Sequence, residues 1–190
     1  MRGFLTACDS APSDAAGYRE AFAQGGHDDG ACRFEATMLM DDVAAYVRDP
    51  RHLAHMTGTF HWGEHAPTPM ANGQFQLHVN NPDSGIREIR YRFEFTGPGG
   101  EPLTFSGVKW LKPRWRINVW PGSTTLYSRI ERADGSVGWS GILTIGLGET
   151  LRLLRSIRPV GATDRTEGRR AVRAFNSFFV REQIALLREG

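Results

Sequence analysis

His61-Trp62-Gly63-Glu64-His65, with His52 and His55 just upstream, is the densest group of metal-capable side chains in the chain. The H-x-x-E-H spacing is that of inverted zinc proteases, in which one helix carries both imidazoles on a single side. That helix is not expected here, because Gly63 interrupts the segment, Pro67 follows it and Thr57 to Trp62 alternates like a strand. The histidines are expected in a polar loop at a barrel rim, with His52 and His55 on a short helix. No metal is expected.

Lys109 is a sharper candidate. Leu103, Phe105, Gly107, Lys109 and Leu111 alternate along one segment and fall on one face if it is a strand. An amine on an apolar face is costly unless it is paired, does chemistry, or reaches water from the strand end. Tyr91 shares its face with Ile89, Phe93 and Phe95, where a phenol either packs in the core or donates to a ligand carbonyl. Acid–base catalysis inside a barrel needs little more than such groups in an apolar cavity, where desolvation shifts their pKa. Lys109 and Tyr91 are the expected catalytic residues.

Other chemistries find less support. Gly146-Leu147-Gly148-Glu149-Thr150-Leu151 lacks the third glycine of a dinucleotide fingerprint, since Leu151 occupies that place. No G-x-S-x-G elbow is present. Cys8 and Cys32 lie in loop-like sequence without a nearby base and are expected to be inert, reduced thiols. No cofactor is expected.

The elements that must position these residues are strands. Ile89 to Phe95 alternates apolar and charged positions, and similar segments run from Gln74 to Ile145 between turn signals such as Asn81-Pro82, Gly97-Pro98-Gly99-Gly100 and Asp134-Gly135. Strands are expected near 33–40, 57–62, 74–80, 87–96, 103–111, 115–120, 124–132 and 137–145. Asp41 or Asp42 caps a helix through Tyr46, and a further turn carries Leu53 and Met56. The period becomes helical at Glu149–Ile157 and again from Thr166, where Val172, Phe175 and Phe179 form a stripe. The architecture predicted is an antiparallel β-barrel of about eight strands, calycin-like in shape, with a helical insertion after the first strand and a C-terminal helix. A two-sheet sandwich is the alternative. Residues 1–30 are expected as a flexible arm, and 31–190 as a single barrel domain.

Several segments resemble the accessory, non-flavin domain of bacterial cholesterol-oxidase-like multidomain oxidoreductases. They are Phe34-Glu35-Ala36-Thr37-Met38, the block from Asp42 to Thr59, Phe105-Ser106-Gly107-Val108-Lys109, Ser123-Thr124-Thr125-Leu126-Tyr127 and Gly141-Ile142-Leu143-Thr144-Ile145. The resemblance spans about Tyr18 to Phe179. It carries over no catalytic residue; it implies an apolar ligand, in company with sterol or lipid oxidation.

Composition sets the outer bounds. The 190 residues carry a net charge of +2, and the arginines are dispersed rather than blocked, so no nucleic-acid partner is expected. No apolar run is long enough to span a bilayer and the first residues lack a secretory pattern, so a cytoplasmic protein is expected. Four of the five tryptophans fall between positions 110 and 139. Phe93, Phe105, Trp110, Trp120, Tyr127 and Trp139, with Met38, are the expected ligand-lining residues, although the same rings suit packing or a homodimer contact. Two functions are expected. One is a cofactor-independent cyclase or isomerase acting on a steroid, lipid or polyketide-like molecule. The other is a non-catalytic sterol or lipid carrier that partners an oxidoreductase.

Overall fold

The computed structural model describes residues 1–27, 30–82, 84–111, 124–162 and 164–188. Its strands are β1 (Arg2–Ala7), β2 (Ala31–Leu39), β3 (Leu53–Trp62), β4 (Thr68–Pro69), β5 (Ala71–Asn80), β6 (Arg87–Thr96), β7 (Pro102–Leu111), β8 (Thr125–Arg132) and β9 (Val137–Thr144). The helices are α1 (Ala15–His27), α2 (Val43–Arg48), α3 (Leu147–Arg155) and α4 (Arg165–Arg188). Eight strands close in the order β1-β2-β3-β5-β6-β7-β8-β9 and back to β1, every pair antiparallel. The two-residue β4 pairs with the far end of β3 and stands outside that circuit. The result is a closed antiparallel barrel rather than a sandwich.

Alternation decides which residues face inward. Along β6, Ile89, Tyr91, Phe93 and Phe95 are buried while Arg92 and Glu94 are exposed. Two cross-strand pairs, Phe34 with Phe60 and Phe93 with Phe105, come from opposite walls and meet in the middle. Phe93 stacks on Phe105 at 4.6 Å, and Phe34 and Phe60 meet that stack at centroid distances of 5.6 to 5.8 Å. These rings fill the barrel at their level. Toward the hairpin end, Trp62 and Trp139 seal the mouth edge to face at 4.9 Å, with the Arg132 guanidinium 5.1 Å from the Trp139 ring.

The opposite end carries the helices. Asp42 caps α2, its carboxylate accepting from the Ala44 and Ala45 amides at 2.7 and 3.0 Å. Phe175 and Phe178 of α4 pack on Tyr46 of α2, and Arg87 of β6 donates to Glu182 of α4 at 2.7 Å. Among the described residues no helix is long and apolar enough to cross a membrane.

Two expectations change. Residues 1–30, expected as a flexible arm, hold β1 in the wall and α1 against its outside. Leu5 is buried, its amide donates to the Gly30 carbonyl at 2.8 Å, and Phe4 meets Phe22 at 5.3 Å. Helix α1 lies so close to β1 that a Cβ at Gly25 would stand 2.5 Å from the Leu5 carbonyl oxygen. The helical turn expected at Leu53–Met56 is the start of β3, because His52 reverses the chain at φ +40° and Met56 then pairs with Met38. The Asp134-Gly135 hairpin forms around three residues, Ala133 to Gly135. The Gly135 amide donates to Arg132, and Gly135 takes the left-handed position at φ +82°. The strand expected at 115–120 lies outside the described residues.

Phe105 has no exposed surface and touches rings from both walls. Phe105→Ala is expected to cost about 3–5 kcal/mol, the usual range for deleting a fully buried ring. Urea denaturation followed by near-UV circular dichroism measures it; a loss below about 1 kcal/mol would mean the ring plug does not hold the barrel together.

Candidate functional site

Lys109 lies on the inner wall opposite Ile89, two positions in from the pair Arg87 and Leu111 that ends the ladder. Its side chain does not run out to the rim. It leans back along the strand and places Nζ 5.5 Å from the centre of the Tyr91 ring, diagonally across the β6–β7 pair. Lys109 is 4% exposed. Burial pulls its pKa down from 10.5 to about 8, since the ammonium loses more hydration than the neutral amine. Burial likewise pushes the Tyr91 phenol up, which keeps it protonated. An ammonium above a protonated phenol's ring, in an apolar barrel, is a hydrogen-bond donor with an easily moved proton.

The helical cap covers this same end. Tyr46 is buried between His52, Phe175 and Phe178, and His52 shares its Nδ1 with the Tyr46 carbonyl oxygen at 2.9 Å. The Tyr46 hydroxyl is buried and meets no hydrogen-bond partner among the described residues. Such groups are rare and often contact a water or ligand. His78 sits near the cap at φ +55°, beside a register shift between β5 and β6 that buries Leu77 and His78 together. Its pKa falls to about 4, through burial first and then through nearby Arg87, so it is neutral at pH 7.

The predicted lining residues divide among several places. Phe93 and Phe105 belong to the filled middle layer, and Trp139 to the sealed mouth. Met38 faces inward across from Met56 and is partly exposed. Trp110 and Tyr127 are on the outer wall: strand parity turns them away from Lys109, and they stack on each other at 4.2 Å beside Tyr18 of α1. Trp120 lies outside the described residues.

Sequence reading missed a trench on that outer wall, of about 370 Å³. Its sides include Gln74 and Gln76 of β5, Arg90 and Arg92 of β6, Ser106 and Val108 of β7, and Tyr127 and Arg129 of β8. The sequence signal is the short Ser106 and Val108 between long neighbours, legible only once the strand register is known.

The histidine-rich segment does not form the helix that H-x-x-E-H requires. His61 is in β3, and Gly63 turns the chain at φ +55°. Among the described residues no group of three or more His, Cys, Asp or Glu side chains is placed to hold a metal ion. Gly146-Leu147-Gly148 joins α3 to β9, which is antiparallel to both neighbours, so the crossover that cradles a dinucleotide does not form. Cys8 and Cys32 are free thiols. Burial raises Cys32 to about 12, while Cys8 donates to Ser140 at 3.3 Å.

The fold defines a class, the eight-stranded antiparallel barrel of calycin-like shape, capped by helices at one end. The chain matches no family model, no curated protein and no solved structure.

Burial of Lys109 has a signed consequence. Between about pH 8 and 10.5 the unfolded chain keeps this proton and the folded chain has lost it, so stability rises with pH across that window and falls as pH drops through 8. Lys109→Met is therefore expected to stabilise the protein at pH 7 by on the order of 2 kcal/mol, with the advantage gone near pH 10.5. Paired urea titrations at the two pH values check this. A Met variant less stable than the parent at pH 7 would show that the amine is held by compensating interactions instead.

Proposed function

We propose that the helix-capped end of the barrel takes a small apolar molecule bearing a carbonyl and promotes its cyclisation or isomerisation without a cofactor. The carrying observation is Lys109: an amine on an apolar inner wall, with a pKa near 8, aimed inward rather than at water. At pH 7 it is mostly protonated and can donate a hydrogen bond to a carbonyl oxygen, stabilising negative charge there as a nucleophile within the same substrate adds to the carbonyl carbon. Tyr91 supplies the surface beneath it, and the Tyr46 hydroxyl, buried without a partner among the described residues, offers a second polar contact at the same end. The filled middle layer gives that end a floor and would hold a guest against the cap, away from water. Steroid, lipid or polyketide-like molecules fit this chemistry.

A second reading is a carrier or accessory subunit for a sterol or lipid beside an oxidoreductase. It rests on the resemblance of several segments to an oxidoreductase accessory domain. The phenylalanine plug also favours it, since a filled middle layer leaves little room in which to fold a flexible substrate.

Native mass spectrometry of the purified 21.2 kDa chain, followed by extraction of any bound molecule, tests both readings. A carbonyl-bearing apolar compound is expected, turned over by the parent protein. Lys109→Met should lower turnover by about 100-fold or more while affinity is largely kept. The rate should fall as pH rises through about 8, because the acid form is the active one. Binding without turnover would leave the carrier, and tight exclusion of every apolar probe would remove both.

A further inference from the structure

The outer trench lies on the face of the wall opposite Lys109, and Tyr91 and Gly107 of that wall contribute to its lining. It exists because β7 turns short side chains outward, Ser106 and Val108, between long ones on both neighbours. Arg90 faces Val108 and Arg92 faces Ser106 from β6, while Tyr127 and Arg129 face the same two residues from β8. Gln74 and Gln76 extend the wall from β5, and Tyr18 of α1 overhangs Tyr127 at 5.3 Å.

The trench is biased toward anions. Arg90 is committed to the buried Glu88 at 2.8 Å, which also accepts from Asn81. Arg92 and Arg129 share one carboxylate: Glu131 takes Arg129 Nε at 2.9 Å and Arg92 Nη1 at 3.4 Å, and Ser106 joins the same oxygen as Arg92 at 3.3 Å. Two guanidiniums against one carboxylate leave a net positive charge at the trench floor. Each guanidinium has five N–H donors in a planar fork, more than one shared carboxylate can engage. Arg92 and Arg129 remain 54% and 44% exposed at the side chain, so a ligand can reach them. Glu94, the next acidic residue outward along β6, accepts from Asn72 at 2.6 Å, and no acidic side chain lines the trench among the described residues.

The far wall is aromatic. Tyr127 lies against Trp110 at 4.2 Å with 29° between the rings, so the Tyr127 ring is held flat and stiff beside the guanidiniums. We propose that this trench is a binding site for a small aromatic acid, its carboxylate set between Arg92 and Arg129 and its ring against the part-exposed Tyr127. The volume suits one compact molecule, at the lower end of the usual ligand range. A planar carboxylate matches the guanidinium fork, and a flat ring matches the stacked wall.

The test is an amide NMR titration of the intact chain with 2-naphthoate, and in parallel with neutral 2-naphthamide, at physiological salt. Saturable shifts are expected at 106–108 and 127–129. Naphthamide and the Arg129→Gln variant should each bind about tenfold more weakly, since each removes a charge-assisted contact. Ser106→Leu, which fills the floor from the solvent side, should abolish binding while the spectrum stays that of a folded barrel. Lys109→Met should leave naphthoate binding intact, which separates this site from the barrel interior. Equal binding of acid and amide, undiminished affinity in Arg129→Gln or Ser106→Leu, shifts centred on the inner wall, or no saturable binding would each overturn the proposal.

Discussion

Closure of the cylinder depends on one short strand. β1 pairs with β2 on one side and β9 on the other, and among the described residues no other strand links them. Without it both neighbours would expose an unpaired row of amides and carbonyls, a costly and aggregation-prone edge. Helix α1 secures β1 from outside through Phe4 with Phe22 and the close approach at Gly25. Once the ring is closed, each inward residue has a ceiling as well as neighbours, and rings from opposite walls can meet. The stacked phenylalanines are thus a consequence of closure, and they divide the interior into a sealed end and a helix-capped end.

That division gives Lys109 its significance. In a sheet with one open face, a lysine near the strand end would extend to water and lose little. Here the wall continues round, α2 and α4 cover the rim, and the side chain lies over Tyr91. A cation–π contact of this kind contributes about 0.5–2 kcal/mol and offsets part of the cost of burying an ammonium. Desolvation still dominates, and the pKa is lowered. A fold that holds an ionisable group under such strain has either a packing reason or a chemical one, and perturbed groups of this sort concentrate at functional sites.

Much of this was legible from alternation alone. The inward set on β6 and on β7, including Lys109, follows from period two, and so does the α4 stripe from its helical period. The failures have physical causes. β1 is six residues long with glycine inside it, and α1 is rich in Ala and Gly, so neither shows a strong apolar face; tertiary packing alone selects them. His78 defeated periodicity because the bulge beside it buries two consecutive residues. Trp110 follows Lys109 directly, so strand parity points it outward, away from the lining role that aromatic composition alone suggests. The trench needs the register of four strands at once, which local sequence does not contain.

β7 joins the two sites through a single rule. Gly107 and Lys109 face the interior; Ser106 and Val108 face the trench. A one-residue slip of this strand would exchange the two sets, placing a lysine among arginines and burying a serine in the core. Register is protected by the ten-residue ladder to β6, in which Phe105 meets Phe93 and Gly107 meets Tyr91, and by Leu126 leaning over Gly107 so closely that a Cβ there would lie 2.9 Å from it. The same packing that fixes the core therefore fixes the chemistry of both faces. Neither site can drift without disturbing the stacked rings, whereas Arg92 and Arg129 of the trench, half-exposed and held by Glu131 and Ser106, can be exchanged without touching the core. The outer wall is accordingly the more changeable of the two faces, and the inner amine the more constrained.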